Sequence, residues 1–539
     1  MLFETVVLLI LCCPLLFLWR RFNSSLRHLR GPPNHSLLRG NLGQLYARDG
    51  WKFHEAIAER FGGAVKLHGL LGTHQLYLSD PAALYNVLVK DSNVYEEANW
   101  YLEGNMLVFG PGLLSTYGDH HKRQRKLLNP VFSTQHMRDL APVFHCITRK
   151  LTDAIEYHLG SGSQEIDLYD WMSRTTLEMI AQAGLGYSID SLEPESDSPT
   201  TYGKLIKHLI PSAFKLSTFR LFLPFLVKLG PPAFRRFLLD ISPSRDLHQL
   251  KETVDVMHQT STDIFQRKKM SFDEGDEHTL RQVDEGRDIM SILLKANLSA
   301  SDLDRLPDSE LLAQMSTFMF AGHDTTSSAL SRTLHNLALH PEVQAQLRHE
   351  IAQSQLFKGC FSYEELNALP YLDAVYRETL RLNPPVNFMA RIARRDMILP
   401  LGEPAIATDG VTKIHALHIT KGTSIITAFG AVNRSKTIWG DDAYEWKPER
   451  WLSNTLPVKR VPGVYSSLLT FSAGPRACIG FKFAELEMKC ILSMLVSAYT
   501  FELPDKKEII WNLGGIQTPS IKDAALQTPT LPLKVSKLA

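Results

Sequence analysis

One cysteine stands in a loop whose composition suits chemistry better than packing. Residues 471–480 read FSAGPRACIG, in which Cys478 has two glycines, a proline and an arginine around it, and the following FKFAELEMKC has the pattern of a helix. The thiol could be buried, act as a nucleophile, form half of a disulfide or bind a metal. The chain has six cysteines without CxxC or zinc-type spacing. This is typical of reduced thiols in the cytosolic compartment and disfavours a disulfide.

A second stretch puts polar residues into the middle of a long apolar helix. No proline interrupts the chain from Glu310 to Pro341, which predicts one helix through the centre of the protein. Its middle reads AGHDTTSS, with Gly322, Asp324 and Thr325. Glycine costs a helix interior about 1 kcal/mol relative to alanine, and threonine hydroxyls can bond carbonyl groups one turn back and bend the helix. This segment could be a solvent-facing kink or a functional site. A functional site is favoured, because residues that disfavour a helix in the middle of a central helix are typical of such sites.

A third stretch pairs opposite charges. In YRETLRLNPP, Glu378 and Arg381 are three residues apart and share a helix face. Such a pair is usually a surface ion pair. Further along the chain, YEWKPERW supplies Arg450, a second arginine that could complete a Glu–Arg–Arg network.

Composition limits the class of protein that positions these residues. The chain has 539 residues, of which 44% are hydrophobic, and 58 Lys+Arg nearly balance 57 Asp+Glu. The near-zero charge gives no indication of a nucleic-acid partner. Helical spacing in WKFHEAIAERFG, a hairpin pattern over residues 65–79 and mostly helical segments thereafter predict a mainly α protein with small β-sheets, of the α+β type. We expect one catalytic domain over residues 46–539.

The N-terminus has the pattern of a membrane anchor. Residues 2–19 are mostly apolar and are followed by Arg20 and Arg21, without a cleavage site of small residues. The positive-inside rule then predicts a single-pass transmembrane helix over residues 1–20, with the following domain in the cytosol. Residues 21–45 are basic and contain Pro32 and Pro33, which predicts a stiff hinge.

Residues 211–241 are unusually apolar and aromatic, with interspersed Lys and Arg. They could form ordinary core helices. Alternatively, they could form a lipid-facing patch at the mouth of an apolar pocket.

Together, these stretches resemble the haem-thiolate cytochrome P450 family over roughly residues 30–525. The cysteine loop matches the family pattern F-x-x-G-x-R-x-C-x-G, AGHDTT matches its oxygen-groove motif, and Glu378, Arg381 and Arg450 match its structural triad, with PERW where many members have PERF. The anchor and hinge look like the microsomal type, which implies a location at the endoplasmic reticulum membrane, and GDHHKRQRKLLNPVFS is similar to fungal members. The resemblance implies the cytochrome P450 fold, a helix-rich haem domain with small sheets.

The resemblance also implies roles for individual residues around haem b. Cys478 would be the thiolate ligand of the iron, at a helix N-terminus that favours a negative sulfur. Gly474 and Gly480 would let the backbone approach the haem closely, and Phe471 would shield the sulfur. The haem propionates would be bound by cationic residues: Arg125, Arg391, Arg476 and, more weakly, His121, which stands where the family's W-x-x-x-R motif commonly has tryptophan.

The implied activity is insertion of one oxygen atom of O2 into an apolar terpenoid, steroid, polyketide or aromatic, in fungal secondary metabolism or detoxification. Thr325 would hold a water or oxygen species, and Asp324 would relay protons. Gly322 would leave room beside the haem. The sequence has no flavin or nicotinamide motif, so electrons would come from NADPH through a separate cytochrome P450 reductase, with cytochrome b5 as a second candidate donor. Either partner would dock on basic residues such as those of HHKRQRK, although this charge run could also be a solvated face.

Two other functions stay open at this point. The first is a haem-thiolate isomerase or dehydratase that needs no reductase, although such members often lack the acid–threonine pair. The second is a haem-binding carrier or sensor without turnover.

Overall fold

The elements of this protein are taken from a computed structural model. It describes residues 24–160, 162–193, 200–216, 222–273, 288–302, 304–354, 362–453, 461–464, 467–524 and 528–538. The predicted anchor, residues 1–20, lies outside them. Within these ranges no helix is both long enough and apolar enough to span a membrane.

The α-helices of the described residues, in chain order, are α1 Leu42–Leu45, α2 Trp51–Phe61, α3 Pro81–Tyr85, α4 Asn99–Phe109, α5 Gly118–Leu128, α6 Thr134–Leu159, α7 Leu168–Ile180, α8 Thr201–Ile206, α9 Leu209–Lys215, α10 Leu223–Leu226, α11 Pro232–Asp240, α12 Arg245–Asp273, α13 Ile289–Leu298, α14 Asp308–Leu339, α15 Pro341–Gln353, α16 Tyr363–Asn367, α17 Pro370–Leu382, α18 Phe429–Asn433, α19 Lys436–Trp439 and α20 Phe481–Ala498.

The strands are β1 Ala64–His68, β2 His74–Leu78, β3 Tyr95–Glu97, β4 Ser163–Asp167, β5 Met389–Ala393, β6 Met397–Ile406, β7 Lys413–Ile419, β8 Ser424–Thr427, β9 Tyr499–Glu502, β10 Ile509–Asn512, β11 Thr518–Ile521 and β12 Pro532–Lys537. The helix-rich content with small sheets agrees with the predicted mainly α class.

The chain divides into two compact units. Unit 1 comprises Met1–Ala98, Val386–Glu445 and Pro457–Cys478, and unit 2 comprises Asn99–Pro385, Trp446–Leu456 and Ile479–Ala539. The predicted catalytic domain, residues 46–539, therefore contributes to both.

Unit 1 is built on a five-stranded sheet in the order β1-β2-β8-β5-β3, accompanied by the β6–β7 hairpin. The predicted hairpin over residues 65–79 is confirmed, since β1 pairs antiparallel with β2. Apolar residues of α1, α2, β1 and β2, including Leu45, Ile57 and Val65, form one buried cluster. Leu26 and Leu29 are also buried, each 1% exposed. The globular part thus extends back into the predicted hinge of residues 21–45.

Unit 2 contains the long helix predicted from Glu310 to Pro341, which is α14. Asp308 and Glu310 in its first turn suit the positive end of the helix dipole, and Pro341 begins the next helix. Most of α14 is buried, and α7 packs along it. Helix α20 packs against α6, while β4-β12-β9 and β10-β11 form two small sheets.

Within the apolar stretch of residues 211–241, the part from residue 222 onward does not form core helices. Helices α10 and α11 contain no buried residue. Phe225 is 72% exposed, Phe237 56% and Ile241 62%, and the cationic Lys228 and Arg236 are exposed beside them. The core interpretation is therefore wrong for this part, and the lipid-facing interpretation remains a prediction.

Two histidines with lowered pKa values, the half-buried His54 and the buried His335, are expected to make the folded protein sensitive to acid. In unit 1, His54 Nδ1 lies 2.9 Å from the Tyr77 hydroxyl and Nε2 lies 3.1 Å from the Leu45 carbonyl oxygen. Burial lowers the pKa of His54 to about 4, against the opposing effect of the Leu45 carbonyl. In unit 2, Trp511 donates to His335 Nδ1 (3.0 Å), and burial, assisted by the charge of Arg332, lowers the pKa of His335 to about 4.

We expect the free energy of unfolding to fall as the pH is lowered from 7.5 to 5. Both folded pKa values lie below that of unfolded histidine, about 6.5, so the unfolded chain binds more protons in this window. Each histidine should then cost about 2 kcal/mol at pH 5. Urea unfolding at the two pH values measures the loss, and His54→Gln should reduce it. The exposed His415 on β7 supplies the control, His415→Gln. Equal pH dependence in His54→Gln and the wild type would contradict this assignment.

Candidate active site

The cysteine loop exposes its thiol and is held by backbone geometry. Cys478 is exposed, and its N–H donates to the Phe471 carbonyl oxygen at 2.9 Å. A short 3-10 turn, Gly474–Arg476, lies between them. Gly474 has φ +66°, and a Cβ there would lie 2.0 Å from the Leu88 carbonyl oxygen. Only glycine fits this position, because a side chain would meet backbone and would also be strained at this φ.

The same loop contains a strained residue. Ser472 has φ 58°, a left-handed conformation that costs a non-glycine residue on the order of 1–3 kcal/mol. It is 6% exposed, and its hydroxyl has no hydrogen-bond partner in the described residues. By contrast, Cys490 on α20 is an ordinary buried thiol, 1% exposed and 3.5 Å from the Thr148 hydroxyl. The interpretation of Cys478 as a buried structural thiol is therefore wrong.

Two arginines of unit 1 are held by neighbouring acids on the three-residue strand β3. Arg391 on β5 is 1% exposed and donates through Nη1 to Glu97, its cross-strand partner. Its Nη2 is buried without an acceptor among the described side chains and backbone. Arg476 Nη2 lies 3.2 Å from Glu96 Oε2. An unsatisfied buried donor on a fixed guanidinium is suited to binding a carboxylate.

These features of unit 1 fit the haem that the resemblance implies. The loop presents a thiol as a ligand, and Arg391 presents a donor suited to a propionate. Gly480, also predicted to contact haem, lies in unit 2 as the residue before α20, with φ −91°. Any residue adopts that φ, so its backbone conformation does not itself require glycine.

The other predicted propionate residues lie on α5 in unit 2. His121 is buried and Arg125, four residues on, is half-buried, with its Nε donating to Asn129 Oδ1 at 3.2 Å. Helix α5 is tied to the first turn of α14, because Gln124 Nε2 donates to Glu310 Oε2 at 2.6 Å and Arg123 Nη2 lies 3.3 Å from Glu310 Oε1.

Helix α14 is continuous through its polar middle. Thr325 Oγ1 donates to the Ala321 carbonyl oxygen at 2.7 Å, which is the predicted bond one turn back. The hydroxyl is thereby oriented, and its oxygen retains lone pairs that can accept a hydrogen bond. The Asp324 side chain is 9% exposed, and its Oδ1 lies 3.1 Å from His323 Nδ1.

Gly322 lies against the neighbouring helix α7. A Cβ at this position would lie 2.8 Å from Ile180 Cγ1 on α7. The glycine therefore permits close packing of α7 against α14. The expectation that it leaves room beside a haem stays a prediction.

Two further titratable groups next to the polar middle of α14 were missed by sequence reasoning. Burial raises the pKa of the Tyr169 hydroxyl well above its usual value, and the charge of Asp324 adds to the shift. Burial also raises the pKa of Glu487 on α20 well above its usual value, opposed by the Thr326 hydroxyl. Both shifts favour the protonated form of these groups. A glutamate on the apolar face of α20 was the available sequence signal for Glu487.

Glu378, Arg381 and Arg450 meet in a buried network in unit 2. Arg381 binds Glu378 through both Nε (2.7 Å) and Nη2 (2.8 Å), and Arg450 Nε lies 3.4 Å from Glu378 Oε1. The Glu378 and Arg381 side chains are 0% exposed. Trp451 Nε1 also donates to Glu378 Oε2 at 3.0 Å, a hydrogen bond that the more common phenylalanine could not make. Removing one partner of a buried pair typically costs about 3–5 kcal/mol.

The predicted residues are thus divided between the units. Unit 1 carries Arg391, Phe471, Gly474, Arg476 and Cys478, and unit 2 carries His121, Arg125, Asp324, Thr325, Glu378, Arg381, Arg450 and Gly480. Their catalytic and cofactor-binding roles remain predictions.

Comparisons with known proteins show which sequences the chain is similar to. The family model described as Cytochrome P450 matches residues 29–522. The chain is similar to cytochrome P450 monooxygenase 81 of Postia placenta, with 48% identity over 527 residues, covering 97% of this chain and 95% of the relative. It is also similar to a ganoderic acid synthetase of Ganoderma lucidum, with 44% identity over 524 residues, covering 96% and 95% of the two chains.

Proposed function

The chain belongs to the cytochrome P450 family of haem monooxygenases, and from this premise we propose that it oxidises a hydrophobic compound of fungal secondary metabolism. The substrate class is a terpenoid, steroid, polyketide or aromatic. The observation that carries the proposal is the exposed Cys478 in a strained, glycine-dependent loop. The similarity to a ganoderic acid synthetase supports the metabolic context.

Bound haem would supply an iron that binds and activates O2. Cys478 would be its thiolate ligand, and the unsatisfied Nη2 of Arg391 would bind a propionate. Thr325 would accept a hydrogen bond from water or another O–H group, since its own proton is directed to Ala321. Asp324 would deliver protons as a general acid, and the surrounding apolar helix would limit the entry of water.

The electrons would come from NADPH through a separate cytochrome P450 reductase, with cytochrome b5 as a possible second donor. Lys122 and Lys126 on α5 support a docking surface for an acidic partner, because their side chains are 66% and 73% exposed. Each already contacts a carboxylate, Asp119 and Asp304 respectively, so a partner would have to compete with these local pairs.

This function is tested by supplying the full-length protein with a fungal reductase and NADPH, then measuring NADPH consumption and products for a panel of terpenoids, steroids, polyketides and aromatics. Reductase-dependent consumption with an oxygenated product supports the proposal. Conversion of a substrate without reductase would instead indicate an isomerase or dehydratase. Haem binding without any turnover across the panel would favour a carrier or sensor.

We also propose that the protein is anchored in the endoplasmic reticulum membrane by residues 1–20, with the catalytic part in the cytosol. The exposed Phe225, Phe237 and Ile241 with nearby Lys228 and Arg236 supply a second bilayer contact, since apolar and cationic residues together suit a membrane surface.

Deleting residues 1–20, which leaves the buried Leu26 and Leu29 in place, should lower membrane association without abolishing haem binding. Some protein should remain on membranes because the exposed patch is unchanged. Fractionation and haem content measure both effects. Secretion of the full-length protein with a cleaved N-terminus would contradict the anchor.

A further inference from the structure

His323 lies beside the proposed proton donor and is held from a neighbouring helix. His323 is buried, with 1% of its surface exposed. Its Nε2 lies 2.7 Å from the Ser173 hydroxyl oxygen on α7, and its Nδ1 lies 3.1 Å from Asp324 Oδ1. Thr176, one turn along α7, donates to the His323 carbonyl oxygen at 3.2 Å. The ring is therefore fixed between a hydroxyl and a carboxyl group.

The surroundings favour one tautomer of this ring. A proton on Nδ1 faces the Asp324 carboxylate, while Nε2 accepts from the Ser173 hydroxyl. The opposite tautomer would turn the Nδ1 lone pair toward the same carboxylate, which is electrostatically unfavourable. Nδ1 is not aligned for a hydrogen bond, so its contact with Asp324 is electrostatic.

The order Ser–His–Asp is also that of a nucleophilic triad, but burial argues against that chemistry here. Ser173 is 3% exposed at the interface of α7 and α14, and its neighbour Thr176 is likewise buried. A nucleophile has to reach a substrate carbon, and this hydroxyl is enclosed by helices. The arrangement is suited instead to orienting the carboxyl group.

The orientation of the Asp324 carboxyl group depends on His323, because no other described cationic side chain contacts it. Among the described residues, His323 is the one basic side chain within 4 Å of the Asp324 carboxylate. The Tyr169 hydroxyl on α7 has a raised pKa and therefore supplies no charge, and Lys207 forms an ion pair with Asp170. A carboxyl group that transfers a proton to a defined position needs a fixed orientation.

We infer that His323 is a positioning residue. Its contact with Ser173 fixes the imidazole ring, and the ring orients the Asp324 carboxyl group for proton delivery. This role presupposes the proposed monooxygenase function and adds a specific residue to it. A purely structural role would only join α7 to α14.

Two near-isosteric variants separate these roles. In His323→Asn, the amide can occupy the Nδ1 position and keep an N–H beside Asp324, but the contact with Ser173 is lost. In His323→Gln, the amide can reach the Nε2 position and keep Ser173, but the N–H beside Asp324 is lost. Thr176→Val is the matched control, because it removes a buried bond to the His323 backbone without touching the ring.

With reductase and a turned-over substrate, His323→Gln should lower product formed per NADPH by about 10- to 100-fold, the scale of a misplaced reacting group. It should also change the solvent deuterium isotope effect on NADPH consumption, with an unfolding midpoint near that of the wild type. His323→Asn should lose less product, Ser173→Ala should show an intermediate loss, and Thr176→Val should match the wild type. Wild-type coupling and isotope effect in His323→Gln, with destabilisation confined to His323→Asn, would overturn the inference.

A measurement independent of turnover separates this inference from the proposed function. Nitrogen NMR of histidine-labelled protein, with His323→Gln to assign the signal, should report the Nδ1–H tautomer, and Ser173→Ala should alter it. The Nε2–H tautomer would overturn the proposed orientation. Absence of product from the wild type with the reductase would overturn the monooxygenase function itself.

Discussion

Cys478→Ser is expected to remove the strongly red-shifted Soret band of the ferrous carbon monoxide complex. The band depends on a thiolate ligand, and a serine hydroxyl does not replace the electron donation of sulfur. The loop should still fold, because its backbone bond to Phe471 and the turn at Gly474 do not involve the side chain. The absorbance spectrum of reduced, carbon monoxide-treated protein measures the change.

Cys146→Ser provides the control for this substitution, since Cys146 on α6 is also exposed. It should retain the band. A band of wild-type position and intensity in Cys478→Ser would exclude Cys478 as the iron ligand.

Thr325→Ala is expected to retain haem, substrate binding and NADPH consumption while losing product and releasing hydrogen peroxide. The Thr325 hydroxyl is fixed by its bond to Ala321, so its oxygen is available as an acceptor at a defined position. General acid–base steps contribute about 10² to 10⁴ in rate, which sets the expected loss of product. Parallel assays of NADPH, product and peroxide measure it.

Thr333→Ala is a matched control on the same helix. Thr333 is buried and donates to the Ala329 carbonyl oxygen at 2.8 Å, the same type of bond two turns further on. It should change stability without changing the ratio of product to peroxide. Wild-type product formation by Thr325→Ala, without extra peroxide, would favour an isomerase or dehydratase.

Local patterns predicted the elements of this protein better than its long-range contacts. The apolar run without internal proline predicted α14, and alternation predicted the β1–β2 hairpin. The spacing of Glu378 and Arg381 placed both on one face of α17, where the structure joins them. Each of these depends on residues close in sequence, whose geometry a helix or strand determines.

The partners that come from distant segments were not predictable in the same way. Glu97 meets Arg391 only because β3 pairs with β5, and Ile180 meets Gly322 only because α7 packs on α14. The His323–Ser173 contact likewise joins two helices. A single sequence does not encode these pairings as a pattern. Nor did it decide whether the apolar stretch around Phe225 was core or surface, because both uses require the same residue types.

The most direct test is incubation of the full-length protein with its reductase, NADPH, a turned-over substrate and O2 enriched in the heavy oxygen isotope. Mass spectrometry of the product should find one heavy oxygen atom incorporated per turnover, and none when labelled water replaces labelled O2. A product that carries no oxygen from O2, or that forms equally well without O2, would contradict a haem-thiolate monooxygenase.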